Sequence, residues 1–197
     1  MQSHVRNPTS LLRRVAARIN RSAGISIEHV YLYRISTGQK PASLSTPLGL
    51  EVSVLAPDHL LQLKEVFPSF EMEELAHPQR KNSQCYGASI DGKLVHYSWV
   101  QAGGKHSILE AGLKVDVSPG EFWIYDCRTN PSARGKGVYP YVLTRICSDH
   151  FDKGAREGVI YTTRENVASQ AGILKAGFIK TETKRGIRIG QHFRPFF

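Results

Sequence analysis

Between Glu121 and Tyr141 the chain reads EFWIYDCRTNPSARGKGVYPY, a dense run of residues able to do chemistry. Gly135 and Gly137 let the backbone turn sharply with its N–H groups pointing inward. Arg134 and Lys136 add positive charge, and Pro140 falls in the first turn of a following helix, where a missing N–H costs nothing. An amide-rich loop that opens a helix beside two cations is a site for a phosphate or pyrophosphate. The loop is not a P-loop, because no Ser or Thr follows a Gly-Lys pair. It is not a dinucleotide fingerprint either, because Pro140 takes the place of the third glycine. An ordinary turn has the same composition, so the downstream context has to decide.

Two carboxylates, Glu121 and Asp126, lie in the same stretch, with Tyr125, Cys127, Tyr139 and Tyr141 around them. Cys85, Cys127 and Cys147 are odd in number and lack metal-type spacing, which argues against a disulfide scaffold or a zinc site and points to a reducing, cytoplasmic setting. No histidine is placed by the sequence to activate Cys127, so it reads as a structural thiol. His96, within LVHYSWVQ, reads as a satisfied structural histidine rather than a ligand or base.

The elements that must hold these residues follow from pattern. Phe122, Trp123, Ile124 and Tyr125 are aromatic or β-branched and predict a packed strand that Asn130-Pro131-Ser132 ends. Val138 to Lys153 is a helix with Val142, Ile146 and His150 on one face and Gly154 as C-cap. Gly158 to Thr163 is a buried strand. Asn166 caps a short helix over Val167 to Ala176, ended by Gly177. Upstream, Ile25 to Ile35 and Leu50 to Leu55 are strands, with a Ser, Thr, Gly and Pro-rich loop over 36–48. One helix runs from Pro57 to Phe67, and Glu71 to Ala76 forms a second, acidic one. Cys85 to Ile90 and Leu94 to Gln101 form a hairpin around Asp91-Gly92. Ser107 to Val117 adds a strand. Phe178 to Thr183 and Ile187 to Phe193 are strands around a Lys184-Arg185-Gly186 turn.

The 197 residues suffice for one well-buried domain. A hydrophobic content of 41% with 22% charged residues is that of a globular chain, and no apolar run reaches membrane-spanning length. The net charge of +9 calls for an anionic partner without choosing among nucleic acid, a membrane surface and a phosphate-rich cofactor. Residues 1–24 stand apart from 25–197: five arginines precede the first acid, Glu28, and Leu11, Leu12, Val15, Ala16 and Ile19 share a helical face. This basic amphipathic helix reads as packed on the domain, as a surface for an anionic partner, or as an organellar transit peptide.

A strand, Arg134-Gly135-Lys136-Gly137, a helix, a strand, then Asn166, Ser169 and Lys175-Ala176-Gly177-Phe178 resemble the GNAT superfamily of acyl-CoA N-acyltransferases. The resemblance covers about residues 50–190, most specifically 121–180. It implies a single α/β (α+β) domain, a mixed central sheet flanked by helices and splayed between its fourth and fifth core strands, here 121–129 and 158–163. It implies acetyl-CoA, or another acyl-CoA, as co-substrate, with no metal. The pyrophosphate would lie on the amides of Gly135, Gly137, Val138 and Tyr139 with Arg134 and Lys136 beside it, the pantetheine arm would pair with the fourth strand like an added strand, and Cys127, Thr129, Asn166 and Ser169 would complete the cofactor site. Glu121 has the offset of a family base, with an exposed turn glutamate as the alternative; strand alternation sets Asp126, the next candidate, on the opposite face. The backbone N–H of Tyr125 or Cys127 would donate to the acyl oxygen. The family's usual acid, a Tyr, is replaced by Ile173, which leaves Tyr139, Tyr141 or water for that role. The sixth loop position, usually Gly or Ala, is Tyr139.

The acceptor that follows is the primary amine of a small molecule or amino sugar, attacked directly in a ternary complex. Trp99, Tyr97 and Trp123 are able to stack on a sugar face, although filling the core is the simpler role for them; Glu71, Glu73 and Glu74 suit a cationic acceptor instead. A homodimer is an admissible assembly. Two further readings stay open: a degenerate acyl-CoA-binding domain acting as sensor or scaffold, and, less favoured, a basic nucleic-acid-binding protein.

Overall fold

The computed structural model describes residues 25–39, 41–68, 70, 75–108, 113–189 and 192–196. The N-terminal basic helix expected over 1–24, the acidic residues Glu71, Glu73 and Glu74, and most of the helix expected over 71–76 lie outside the described residues.

Ten strands are described. They are β1 (Ile25–Ser36), β2 (Leu50–Val54), β3 (Ser83–Ile90), β4 (Lys93–Gln101), β5 (Gly104–Ile108), β6 (Leu113–Val117), β7 (Glu121–Thr129), β8 (Glu157–Thr163), β9 (Ile179–Ile189) and β10 (His192–Phe196). The described helices are α1 (Pro57–Leu60), α2 (Gln62–Val66), α3 (Pro78–Lys81), α4 (Val138–Asp152) and α5 (Val167–Lys175). Eight strands form one sheet in the order β10-β9-β1-β8-β7-β4-β3-β2, and β5 and β6 form a separate hairpin. The central pair β7–β8 is parallel, and the pairs on either side are antiparallel, so the sheet is mixed as expected.

β7 and β8 pair only from Glu121–Glu157 to Ile124–Ile160. Beyond Ile124 the two strands part. The cause is local to β7. Its register against β4 shifts between Tyr97–Arg128 and Trp99–Tyr125, so Asp126 and Cys127 both face Ser98. Asp126 takes a positive φ of 43°, a conformation Asp tolerates better than most side chains. Such a bulge bends its strand and raises the local twist, which turns β7 away from β8.

The bulge also overturns an expectation. Simple alternation places Asp126 opposite Glu121. The extra residue resets the alternation, and Asp126 meets Arg80 and Tyr97 on the same side of the sheet as Tyr125.

Other departures are smaller. The helix expected over 57–67 is two short pieces, although Leu61 between them keeps helical angles, φ −64° and ψ −29°. The chain therefore stays coiled while its i→i−4 ladder shifts. The single strand expected over 107–117 is the β5–β6 hairpin. No turn occurs at 184–186: β9 runs straight through, paired with β1 from Ile25–Ile189 to Arg34–Ile179, because β1 offers twelve residues of partner strand. β1 itself fills the position between β8 and β9.

Helix α4 buries Val138, Val142, Leu143, Ile146, Cys147 and His150, the face its 3.6-residue spacing predicts. They pack on Phe122, Ile124 and Ile160 of the sheet and on Ile173 and Phe178 near α5. Each fully buried Val, Leu or Ile is worth roughly 1.5–3 kcal/mol, so this face fixes α4, and with it the loop that precedes it, to the splayed strands. The opposite face of the sheet is covered by α1–α3 through Leu63, Phe67, Tyr97, Trp99 and Tyr125, and by the hairpin through Ile108, Val117 and Trp123.

Candidate active site

The loop between β7 and α4 begins with a turn in which Asn130 Oδ1 accepts from the Ser132 N–H at 3.1 Å. Around the loop, backbone bonds are donated by Ala133 to Asn130, by Arg134 to Pro131 and, past it, by Tyr141 to Gly137 at 3.2 Å. Between them lie the N–H groups of Gly135 to Tyr139, at the helix start, where N–H groups lack intrahelical acceptors. Gly135 and Gly137 take φ of 75° and 78°, angles that side chains rarely adopt. Arg134 donates from Nε to Thr129 O at 3.1 Å, which holds its guanidinium against the end of β7. Asn166 caps α5 by accepting from the Ser169 N–H at 3.1 Å.

These parts enclose a cleft of about 960 Å³, ample for a cofactor-sized ligand. Its walls are the end of β7, the loop, the start of α4, α5, and the end of α2 at Val66 with the following Phe67 and Pro68. Cys127, Thr129, Arg134, Gly135, Gly137, Val138, Tyr139, Asn166 and Ser169 all line it. Lys136, expected with them, is exposed and is not among the lining residues.

The expected catalytic residues separate. Glu121 lies at the paired end of β7, eight residues from Thr129, or roughly 25 Å along a strand. Its carboxylate accepts from Arg34 Nη1 and from the Ser118 N–H, both at 3.1 Å. Burial raises its pKa, but the Ser118 N–H and the Arg34 guanidinium outweigh burial and hold it below the ordinary glutamate value. Arg34 also pairs with Glu157, the parallel neighbour of Glu121, so the cation joins two strands that would otherwise place like charges side by side. The structure therefore does not bring Glu121 to the cleft.

Asp126 is at the bulge, next to the lining residues Cys127 and Arg128. Arg80 from α3 pairs with it, and Arg128 Nε donates to it at 3.2 Å. The Arg80 guanidinium lies 4.3 Å from the Trp99 ring centre and 4.9 Å from that of Tyr125. The Tyr125 hydroxyl is committed to Ser83 Oγ at 2.8 Å, so its side chain is structural.

Tyr139 bridges the walls. Its hydroxyl is 3.2 Å from Ser169 Oγ and interacts with the Cys127 thiol. Burial, reinforced by Cys127, holds its pKa well above the ordinary tyrosine value. Burial likewise pushes the Cys127 thiol up to about 12. His96 is fully buried with Nδ1 2.8 Å from Thr129 Oγ1 and Nε2 2.8 Å from Ser98 Oγ, a satisfied structural histidine as expected. Ile173, at the position of the family's tyrosine, is fully buried in the core.

Tyr97, Trp99 and Trp123 are each at most 2% exposed. They fill the core and present no stacking face, so the sequence hint of a sugar platform is not carried by the structure. Nothing in their alternation distinguished core from platform. Arg80 carries no sequence signal, since it comes from the four-residue helix α3, which opens at Pro78 with no apolar pattern of its own. Among the described residues no His, Cys, Asp or Glu cluster is arranged to hold a metal, and no helix is long and apolar enough to cross a membrane.

A single domain with a mixed sheet flanked by helices matches the fold of GNAT acetyltransferases. Solved structures share it. The GCN5-related N-acetyltransferase from Sphaerobacter thermophilus matches 92% of this chain and 56% of its own at 17% identity and a TM-score of 0.61. A GNAT-family acetyltransferase from Novosphingobium aromaticivorans matches 84% of this chain and 66% of its own at 15% identity and a TM-score of 0.56. AAC(6')-Iy in complex with the bisubstrate analogue CoA-S-monomethyl-acetylneamine matches 68% of this chain and 92% of its own at 21% identity and a TM-score of 0.54. The chain thus spans about 56–66% of the length of the first two. No family model and no curated protein matches the sequence significantly.

Proposed function

We propose that the protein is an acyl-CoA-dependent N-acyltransferase that moves an acetyl group from acetyl-CoA to a primary amine of a small molecule, by direct attack in a ternary complex. The observation that carries the reading is the 960 Å³ cleft at the unpaired end of β7, lined by the glycine loop, the start of α4 and α5. The amides of Gly135 to Tyr139 and the Arg134 guanidinium receive the diphosphate. The edge of β7 past Ile124, which β8 does not pair, receives the amides of the arm as an added strand would.

The amine approaches from the face of α1–α3, opposite α4. Asp126, adjacent in sequence to the lining residues Cys127 and Arg128 and paired with Arg80 and Arg128, is the carboxylate we assign to take the proton of the incoming ammonium. The N–H of Tyr125 or Cys127 stabilises the tetrahedral oxyanion. A thiol with a pKa near 12 is protonated at neutral pH, which disfavours a covalent acyl-Cys127 intermediate and supports direct transfer. The raised pKa of Tyr139 makes its hydroxyl a hydrogen-bond donor to the departing thiolate more readily than a proton source.

Titrating acetyl-CoA should raise the melting temperature; a ligand at 100 times its Kd adds about 2.7 kcal/mol of stability. An unmoved melting curve at millimolar ligand removes the reading. One observation favours a second reading, a non-catalytic acyl-CoA sensor: buried Ile173 supplies no hydroxyl where the family's acid stands. Tight coenzyme A binding with no thiol release across a panel of amines selects it.

A further inference from the structure

Tyr139 and Gly172 fit against each other at the cleft, the former from the first turn of α4 and the latter from the last turns of α5. A Cβ on residue 172 would meet Cδ1 of the Tyr139 ring at 2.5 Å and Cε1 at 2.8 Å. Only a residue without a side chain leaves room for the ring to lie there. The hydroxyl at the far end of the ring reaches Ser169 on α5 and Cys127 on β7. The ring therefore spans the cleft from one wall to the other. Behind it is the His96 imidazole, 5.8 Å away centre to centre and itself fully buried. The wedge that the parting strands open is in this way closed on the α4 side by one large, bonded side chain.

We propose that Tyr139, seated on Gly172, sets the depth of the acyl pocket, so that the protein takes short acyl groups, acetyl and propionyl, and refuses longer straight chains. The proposal rests on the acyl-CoA reading above. An arm that runs along Cys127 delivers its thioester beside the ring, and an acyl chain longer than propionyl then has to enter the volume the ring fills. Close-packed walls do not yield to an added methylene without moving side chains from their preferred positions. The Tyr139 ring is further held at its hydroxyl end. Each methylene too many is discriminated by about tenfold or more where the pocket does not open.

The test is calorimetric, on the full chain, with coenzyme A, acetyl-CoA, butyryl-CoA and hexanoyl-CoA, so that no amine acceptor needs to be known. The wild type should bind coenzyme A and acetyl-CoA alike and hexanoyl-CoA at least about tenfold more weakly. Y139A should bring hexanoyl-CoA to within about threefold of acetyl-CoA, whereas Y139F, which keeps the ring, should retain the discrimination. G172A pushes the ring into the cleft and should weaken acetyl-CoA more than coenzyme A. This second variant adds a methyl rather than deleting a ring, so it keeps the test decisive where Y139A fails to fold. A wild type that binds hexanoyl-CoA as tightly as acetyl-CoA overturns the proposal, as does an unchanged ratio in Y139A or G172A. Failure of coenzyme A itself to bind overturns the acyl-CoA reading with it, whereas bound coenzyme A with an unchanged ratio overturns the depth assignment alone.

Discussion

The carboxylate of Asp126 and the guanidinium of Arg80 pair at the bulge of β7, one from a left-handed backbone position and the other from the short helix α3. Their side chains are 18% and 9% exposed, and Arg80 is sandwiched over Trp99 and Tyr125. Removing one partner leaves a largely buried charge behind, which costs about 3–5 kcal/mol in a dry interior and closer to 2 at this exposure. D126N keeps a residue that tolerates positive φ and deletes only the charge. It should lower stability by about 2 kcal/mol in urea unfolding, and R80M with D126N should cost less than the sum of the two single changes by at least about 1 kcal/mol. Additive losses mean the pair holds nothing together.

Glu121→Gln separates stability from catalysis. Glu121 is joined to Arg34 and Ser118 at the paired end of the strand, far from the cleft. The amide should preserve transfer rates to within about twofold while costing about 0.5–1 kcal/mol of stability, the scale of a part-exposed ion pair. The acid limb differs as well. The Glu121 carboxyl is held below its ordinary value in the folded state, so its contribution is complete above that value and is lost as pH falls through the depressed one. E121Q should unfold with a shallower pH dependence below about pH 5. A hundredfold loss of kcat/KM with unchanged melting would restore Glu121 as the base.

The loop makes a graded prediction for coenzyme A affinity. Gly137 has φ of 78°, so G137A costs about 1–2 kcal/mol in backbone strain and misdirects the amides it positions. R134M removes a guanidinium held at the cleft by Thr129 O and should weaken binding about tenfold, the worth of one charge-assisted contact. K136A, at an exposed residue off the lining, should change affinity less than threefold by the modest scale of exposed charges. Calorimetry that ranks K136A as the most damaging of the three contradicts this placement of the diphosphate.

What the sequence disclosed was local. The loop glycines, the Asn166 cap, the α4 face and the Asp91-Gly92 hairpin each depend on residues within a few positions, and each is found as read. What it hid was register and long-range pairing. Alternation along β7 gives the wrong face for Asp126 because a bulge adds one residue without any Gly or Pro to mark it. The uninterrupted β9 depends on a partner strand some 150 positions earlier, and Gly186 pairs there with Glu28 rather than turning. Arg80 meets Asp126 through tertiary contact across 46 positions of sequence, so no short motif announces it.

Acid should unfold the protein earlier than its carboxylates alone require, because three buried histidines are held neutral. Burial lowers His96 to about 3, His106 to about 4, with the Arg80 charge adding to the effect, and His150 to about 4, with Lys153 adding to it. The unfolded chain binds a proton at each of these near pH 6.5, so between that value and the folded pKa it carries more protons than the native state. Stability is therefore complete above about pH 6.5 and falls as pH drops through the interval, by about 1–2 kcal/mol per histidine on reaching pH 5. His106 is the most informative of the three. It packs on Trp123 and Tyr125 at 4.9 Å each, and its Nδ1 meets Gln79 and Gln101, so the proton it would gain has to enter a closed aromatic and amide cluster. H106Q deletes the titrating group while retaining a polar partner for the two glutamines. Its stability between pH 7 and pH 5, measured by urea midpoint, should fall by about 1–2 kcal/mol less than that of the wild type, even though its stability at pH 7 is lower. Parallel pH profiles for the two proteins would place the acid sensitivity elsewhere.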